Sequence, residues 1–226
     1  MSLLESAIYD EAPGAEGERL LLIMLPGAKN TPQQLVEYGF IRALRGRGLP
    51  VDVYALAAHA DYYLERGEIE RLLHDALDAV RAQGYRHIWL MGISLGGLGA
   101  MLCATQRMAD IEGVLLLAPF LGTRGIISEV IAAGGLQCWQ APDDGDPERA
   151  FLAQLAACPF QAPHFPQIHL GYGLDDHYMA ASELLSACLP QQRVLALPGG
   201  HDWETWRRLW DGLLDRQPFG NPLSLP

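Results

Sequence analysis

The sequence predicts an α/β fold, a three-layer α/β/α sandwich in which a mostly parallel, doubly wound sheet lies between two layers of helices. Short apolar segments of strand length recur along the 226 residues, and segments with helical periodicity separate them. Strands that alternate with helices form a parallel sheet through right-handed crossovers. The sequence contains no internal repeat and no linker, so we expect a single domain over residues 1–226.

Six segments carry the strand pattern. The first, residues 20–25, reads Leu-Leu-Leu-Ile-Met-Leu, and a continuous apolar run of this kind is typical of a strand buried on both faces. The complete set of predicted strands is residues 20–25, 51–56, 87–91, 113–118, 167–171 and 193–197.

The predicted helices have recognisable ends. Thr31 and Pro32 are an N-cap and a proline at the first helical position, so a helix should run from there to about Arg47. Gly84 should end a second helix, which starts near Glu65 and has its apolar residues on one stripe. Three more helices are predicted over residues 95–110, 179–189 and 203–216, and the tryptophans of the last have the spacing of core residues.

One segment breaks this alternation. Residues 120–164 contain glycines, prolines and an acidic cluster, with only short helical patches such as that from Ala150 to Ala157. A connection of this length is too long for a bare loop in a compact domain. We therefore expect a short cap insertion at about residues 120–164, folded over the edge of the sheet.

The composition of the chain limits the classes of molecule that it can bind. A formal net charge of -11 argues against nucleic acid, which requires a basic surface. No segment approaches the roughly 20 apolar residues of a membrane helix, and the first residues lack the basic region of a signal peptide. We expect a cytoplasmic protein without a membrane span that acts on a small molecule; the sequence indicates no oligomeric state.

The segment Gly92-Ile93-Ser94-Leu95-Gly96 is the strongest indication of chemistry. An apolar strand runs directly into this Gly-x-Ser-x-Gly pattern, and a helix of small residues follows it. In that context the serine lies at a strained strand-to-helix turn with its hydroxyl exposed, and the helix directs its free N–H groups toward it. We expect Ser94 to be a nucleophile.

A serine nucleophile needs a base and an acid that orients the base. His201 has the best position among the seven histidines, because it follows the last predicted strand. Gly199 and Gly200, directly before it, let the loop fold back toward the neighbouring strand ends. Asp175 and Asp176 both follow the preceding strand, and their position alone does not distinguish which one is the acid.

Acyl transfer also needs N–H donors for the oxyanion of the tetrahedral intermediate. The N–H of Leu95 is one donor by position. The turn Pro26-Gly27-Ala28, at the end of the first long strand, can present a second one from Ala28. The alternative is a turn that only ends the strand.

Tyr62 and Tyr63 follow the second predicted strand, at the end of the sheet where open α/β folds bind ligands. They are candidates for lining an acyl or alcohol pocket. Aromatic side chains that pack on the next helix are the alternative interpretation.

Taken in chain order, these motifs resemble those of the α/β-hydrolase superfamily, and the resemblance covers about residues 20–217. It implies the α/β-hydrolase fold, with Ser94 as nucleophile, His201 as general base and then acid, and one aspartate as the third member. The segment Gly173-Leu174-Asp175-Asp176 is similar to the family's glycine-x-x-aspartate pattern, which favours Asp176. The segment from Gly200 to Trp206 is similar to small bacterial esterases of this superfamily. Pro26 departs from the pattern, because many relatives carry a histidine before the oxyanion glycine.

The sequence therefore predicts a serine hydrolase that cleaves small carboxylic esters through an acyl-enzyme intermediate. A thioesterase or a peptidase would use the same triad, and a catalytically silent binding protein is the alternative from another class. We expect no metal and no organic cofactor, because the sequence has neither a His-Glu-x-x-His motif nor a glycine-rich phosphate cradle after a predicted strand.

Overall fold

The computed structural model describes residues 3–14, 19–65 and 67–220. Its strands are β1 (Ile8–Asp10), β2 (Leu20–Leu25), β3 (Val51–Ala55), β4 (His87–Ile93), β5 (Gly113–Leu117), β6 (Gln167–Gly173) and β7 (Val194–Leu197). Its α-helices are α1 (Pro32–Glu37), α2 (Phe40–Gly46), α3 (Glu68–Ala82), α4 (Leu95–Gln106), α5 (Arg124–Ala132), α6 (Pro147–Ala156), α7 (Met179–Ser186) and α8 (Trp203–Leu214). Short 3-10 helices span Ala60–Tyr63 and Gln191–Arg193.

The strands form one sheet in the order β1-β3-β2-β4-β5-β6-β7. Only the β1–β3 pair is antiparallel among the pairs of this sheet. The predicted α/β/α architecture with a mostly parallel sheet is therefore confirmed. The strand β4 lies at the centre, so the residues that follow it are flanked by the carboxyl ends of β2 and β5.

Two apolar layers cover the two faces of the sheet. Alternate side chains of β2 point in opposite directions, so that Leu21 and Ile23 pack with α3 and α4, while Leu22 and Met24 pack with α2 and α8. The tryptophans of α8 belong to the second layer, as their spacing predicts. Trp210 is fully buried there and donates a hydrogen bond to the Phe40 carbonyl at 3.0 Å.

The helix predicted from Thr31 to about Arg47 is wrong as a single element. Thr31 caps α1 and Pro32 is its first residue, but the chain leaves the helix at Gly39, which has a φ of 80° and starts α2. A left-handed residue cannot continue a right-handed helix, and glycine adopts that conformation without steric cost.

The strand prediction missed β1, because three residues reading Ile-Tyr-Asp are too short to show a pattern. The other boundaries differ from the predicted ones by a few residues. Within the segment at residues 120–164, α5 contacts α7 and α6 contacts α4. None of the described helices has the length and hydropathy that a membrane span requires.

Candidate active site

Ser94 lies in a tight turn between β4 and α4, with φ 51° and ψ −115°. This is a strained conformation for a residue with a side chain. Two glycines make the turn possible: a Cβ on Gly92 would lie 2.3 Å from the Gly96 carbonyl oxygen, and one on Gly96 would lie 2.3 Å from that of Leu25. The Ser94 carbonyl accepts hydrogen bonds from the N–H groups of Gly97 and Phe120, each at 2.9 Å, which hold the turn in place.

His201 lies against Ser94. Its Nε2 is 2.9 Å from the Ser94 Oγ, and its Nδ1 is 2.7 Å from the Asp176 Oδ2. Tyr178 and Trp206 pack their rings nearly perpendicular to the imidazole, with centroids at 5.1 and 5.0 Å. The imidazole is therefore held in orientation by one hydrogen bond at each nitrogen and by two aromatic neighbours.

Asp176 is only 5% exposed. Its second oxygen accepts a hydrogen bond from the Tyr178 N–H at 2.8 Å. Burial by itself would raise the pKa of the Asp176 carboxyl, but the hydrogen bonds from His201 and Tyr178 and the charge of the histidine hold that pKa below its usual value. The carboxyl is therefore ionised at neutral pH and acts as a fixed acceptor for the imidazole.

Asp175 has a different environment. Its side chain is exposed, its Oδ2 accepts a hydrogen bond from the Gly199 N–H at 2.9 Å, and its own N–H donates to the Gly199 carbonyl at 2.9 Å. These two bonds join the end of β6 to the loop that carries His201. The structure thus places Asp176 against the histidine and Asp175 against the backbone of its loop.

The turn after β2 borders Ser94, because Leu25 pairs with Gly92 of β4. A Cβ on Gly27 would lie 3.5 Å from the Ser94 Cβ. Among the described residues, no hydrogen bond engages the N–H of Ala28. Leu95 is the first residue of α4, and an N–H at that position has no acceptor within its helix. The N–H of Leu95, directly after Ser94, and that of Ala28, directly after Gly27, therefore both lack a partner among the described residues.

The comparison with solved structures identifies the architecture. The chain is similar to an S-formylglutathione hydrolase (FrmB) from Staphylococcus aureus, with a TM-score of 0.63, 14% identity, and coverage of 90% of this chain and 83% of the other. It is also similar to Est1E from Butyrivibrio proteoclasticus, with a TM-score of 0.61, 17% identity, and coverage of 95% and 94%. The chain has the α/β-hydrolase fold. The fluorophosphonate-binding serine hydrolase FphF from Staphylococcus aureus matches with a TM-score of 0.61, 15% identity, and coverage of 92% and 88%. No protein-family model and no curated protein matches the chain.

In this α/β-hydrolase fold, a pocket of about 390 Å³ lies along α4, and Leu95, the residue after Ser94, is among its lining residues. Tyr63 lines it, whereas Tyr62 is not among the lining residues and packs against His59, with ring centroids 5.8 Å apart. The Tyr63 hydroxyl is buried without a partner among the described residues, and burial raises the pKa of this phenol far above its usual value. Tyr63 therefore contributes a neutral wall.

Sequence reasoning missed two aromatic walls of the pocket, Phe120 and Phe151. Phe120 lies just beyond the carboxyl end of β5, so the rule that ligands bind at strand ends indicates its position. Phe151 lies on α6, and no pattern in the sequence indicates that this helix packs against α4.

Proposed function

We propose that the protein is a serine hydrolase that cleaves carboxylic esters through an acyl-enzyme intermediate. One observation carries the proposal: a continuous hydrogen-bonded chain joins the Ser94 hydroxyl, both nitrogens of His201 and the buried carboxylate of Asp176. Such a chain makes a serine nucleophilic, because the base can take its proton and the carboxylate stabilises the resulting imidazolium.

The reaction follows from these positions. Ser94 Oγ attacks the ester carbonyl while its proton passes to His201 Nε2. The carbonyl oxygen becomes an oxyanion, to which the N–H groups of Leu95 and Ala28 donate hydrogen bonds. The intermediate then expels the alcohol, which receives the proton from His201. A water molecule attacks the acyl-serine in the same manner and releases the acid.

The names of the structural neighbours support a hydrolase, since they include esterases and a fluorophosphonate-binding serine hydrolase. Two of them are S-formylglutathione hydrolases. A thioester therefore belongs in the substrate panel beside an oxygen ester with the same acyl group.

A fluorophosphonate probe tests the proposal directly. We expect covalent labelling of the purified protein at Ser94, located by peptide mass spectrometry. With an ester substrate in place of the probe, we expect a burst of alcohol release if deacylation is slower than acylation. Ser94→Ala should abolish labelling, while Ser128→Ala, at an exposed serine on α5, should leave it unchanged. A folded protein that is neither labelled nor active on any ester or thioester would instead be a binding protein with this fold.

A further inference from the structure

One face of α4, which starts next to Ser94, carries large apolar side chains that are not fully buried. Leu95, Leu98 and Leu102 are only half-buried, whereas other apolar residues of the helix, such as Ala100 and Met101, are fully buried. The spacing of three and four residues places the three leucines on one side of the helix. All three line the pocket of about 390 Å³, so the pocket is a groove along the helix axis.

The opposite walls of this α4 groove are also apolar. Tyr63 and Ile69 come from the segment between β3 and α3, Phe120 from the end of β5, and Phe151 from α6. At the rim, Leu64 is 82% exposed. A ligand that covers these apolar walls removes them from water, and this burial favours binding.

The groove has a defined beginning and end. It begins at the turn that carries Ser94: Leu95, which lines the groove, follows Ser94 directly, and Phe120, another lining residue, donates its N–H to the Ser94 carbonyl at 2.9 Å. One turn beyond Leu102, the Gln154 amide donates a hydrogen bond to the Thr105 hydroxyl at 3.0 Å and ties α6 to α4. From Leu95 to Leu102 the helix rises by about 10 Å, the length of an extended chain of roughly eight carbons.

The charged residues that line the groove limit the class of ligand that can bind in it. Three carboxylates line the groove, those of Glu65, Glu70 and Glu148, and no lysine or arginine is among its described lining residues. Glu148 also accepts a hydrogen bond from the Thr123 N–H at 2.7 Å. The negative potential disfavours an anionic group, so a chain that ends in a carboxylate is a poor occupant.

The position of His201 decides which half of an ester the groove holds. The leaving alcohol must lie against the histidine, because it receives its proton from Nε2. The rings that surround this histidine are those of His177, Tyr178 and Trp206, and none of them lines the groove. The groove therefore lies on the acyl side of Ser94.

We propose that the α4 groove binds the acyl chain of the substrate, and that the protein prefers neutral, medium-length apolar acyl groups with Leu102 setting the upper length. This inference rests on the proposed function, since it assigns the substrate class of the same site.

The test is the kcat/KM of a series of p-nitrophenyl esters from acetate to decanoate. Each methylene that enters the groove should raise kcat/KM by about fourfold, up to roughly eight carbons, after which the increase should stop. An aryl ester whose eight-carbon acyl chain ends in a carboxylate should be hydrolysed at least about tenfold more slowly than the octanoate ester.

Substitutions at Leu102 test whether the dependence on acyl-chain length arises in the groove. Leu102→Trp should lower the octanoate-to-acetate ratio of kcat/KM by at least about tenfold, because a short acyl group does not reach this position. Leu102→Ala should move the optimum to longer chains. Met108→Trp, at a 40% exposed position beyond the end of α4 and outside the groove, is the matched control and should change neither the ratio nor the optimum. Leu98→Phe gives a second block if Leu102→Trp does not fold.

The outcomes separate the two proposals. A chain-length profile that is flat, or that Leu102→Trp and Leu98→Phe leave unchanged, would overturn the assignment of the groove while Ser94-dependent acetate hydrolysis still supports the hydrolase. Absence of both labelling and turnover in folded wild-type protein would overturn the hydrolase, and the groove assignment with it.

Discussion

Two buried aspartates lie at opposite ends of the sheet and have nearly the same degree of burial. Asp176 follows the carboxyl end of β6 and is 5% exposed; Asp52 lies near the amino end of β3 and is fully buried. Asp52 accepts hydrogen bonds from the Ala12 N–H at 2.7 Å, the Arg19 Nη2 at 2.8 Å and the Tyr85 hydroxyl at 2.6 Å. Each carboxylate is thus satisfied by more than one donor.

The difference lies in the donors. Arg19 keeps its proton at any pH at which the protein is folded, and burial together with the bond to Asp52 raises the pKa of Tyr85 far above its usual value. His201, the donor to Asp176, has a second ring nitrogen that can accept or donate a proton, and this nitrogen contacts the half-buried Ser94 hydroxyl. The two carboxylates therefore differ in their partners: the partner of Asp176 contacts the serine proposed as nucleophile, whereas the partners of Asp52 contact no such group among the described residues.

The largest expected effect comes from removing the proton-exchanging partners. Ser94→Ala and His201→Ala should each lower kcat by about 10⁴- to 10⁶-fold while the protein remains folded, and the double variant should be no slower than either, because the residues act as a unit. Tyr85→Phe, at the other end of the sheet, should leave kcat within about twofold. Additive losses in the double variant would contradict the shared role.

The two adjacent aspartates give the next effect. Asp176→Asn should lower kcat by up to about 10⁴-fold, because an amide leaves His201 in the wrong tautomer. Asp175→Asn should lower kcat by less than about tenfold, since among the described residues that carboxylate binds only the Gly199 N–H. Turnover under saturating substrate measures both, and the reverse result would exchange the roles of the two residues.

His169 of β6 is a buried histidine that should make the stability of the protein depend on pH. Neither of its nitrogens has a hydrogen-bond partner among the described residues, and burial, together with Arg193 and Arg216, lowers its pKa to about 4. The unfolded chain binds a proton below pH 6.5 that the folded protein accepts only near pH 4. The free energy of unfolding should therefore fall by about 3 kcal/mol as the pH drops through this window.

Urea denaturation at pH 7 and pH 4 measures this loss. His169→Phe keeps an aromatic ring against Trp89 and should remove about 3 kcal/mol of the pH dependence. His59→Phe, at an exposed histidine, should leave the dependence unchanged. Equal pH dependence in wild type and His169→Phe would contradict the assignment.

The smallest effect belongs to the amino end of the sheet. Asp52→Asn should lower the free energy of unfolding by about 2 kcal/mol, because Arg19 and Tyr85 lose a charged acceptor, and should leave kcat unchanged. Asp215→Asn, which removes an exposed partner of Arg47, should cost less than about 1 kcal/mol. A loss of kcat in Asp52→Asn would remove the distinction between the two ends.

Much of the fold can be predicted from the sequence, because strands and helix ends have local sequence patterns. Continuous apolar runs mark the parallel strands, and glycines mark the ends of helices, as Gly84 does after α3. Gly39 and β1 escaped this reasoning, since one glycine within a helical pattern is often tolerated and three residues show no periodicity. The elbow around Ser94 is equally local, because strand, turn and helix are contiguous.

The sequence by itself indicated the parallel strands and most of the helices, their order, and the placement of Ser94, Asp175, Asp176 and His201 at strand ends that meet at one edge. Only the tertiary structure decided which aspartate meets the histidine, because Gly199 binds Asp175 through two hydrogen bonds and leaves Asp176 to point at the imidazole. The wall that α6 adds to the groove was likewise undecided until the chain folded. Contacts between segments far apart in sequence depend on packing, which no local pattern encodes.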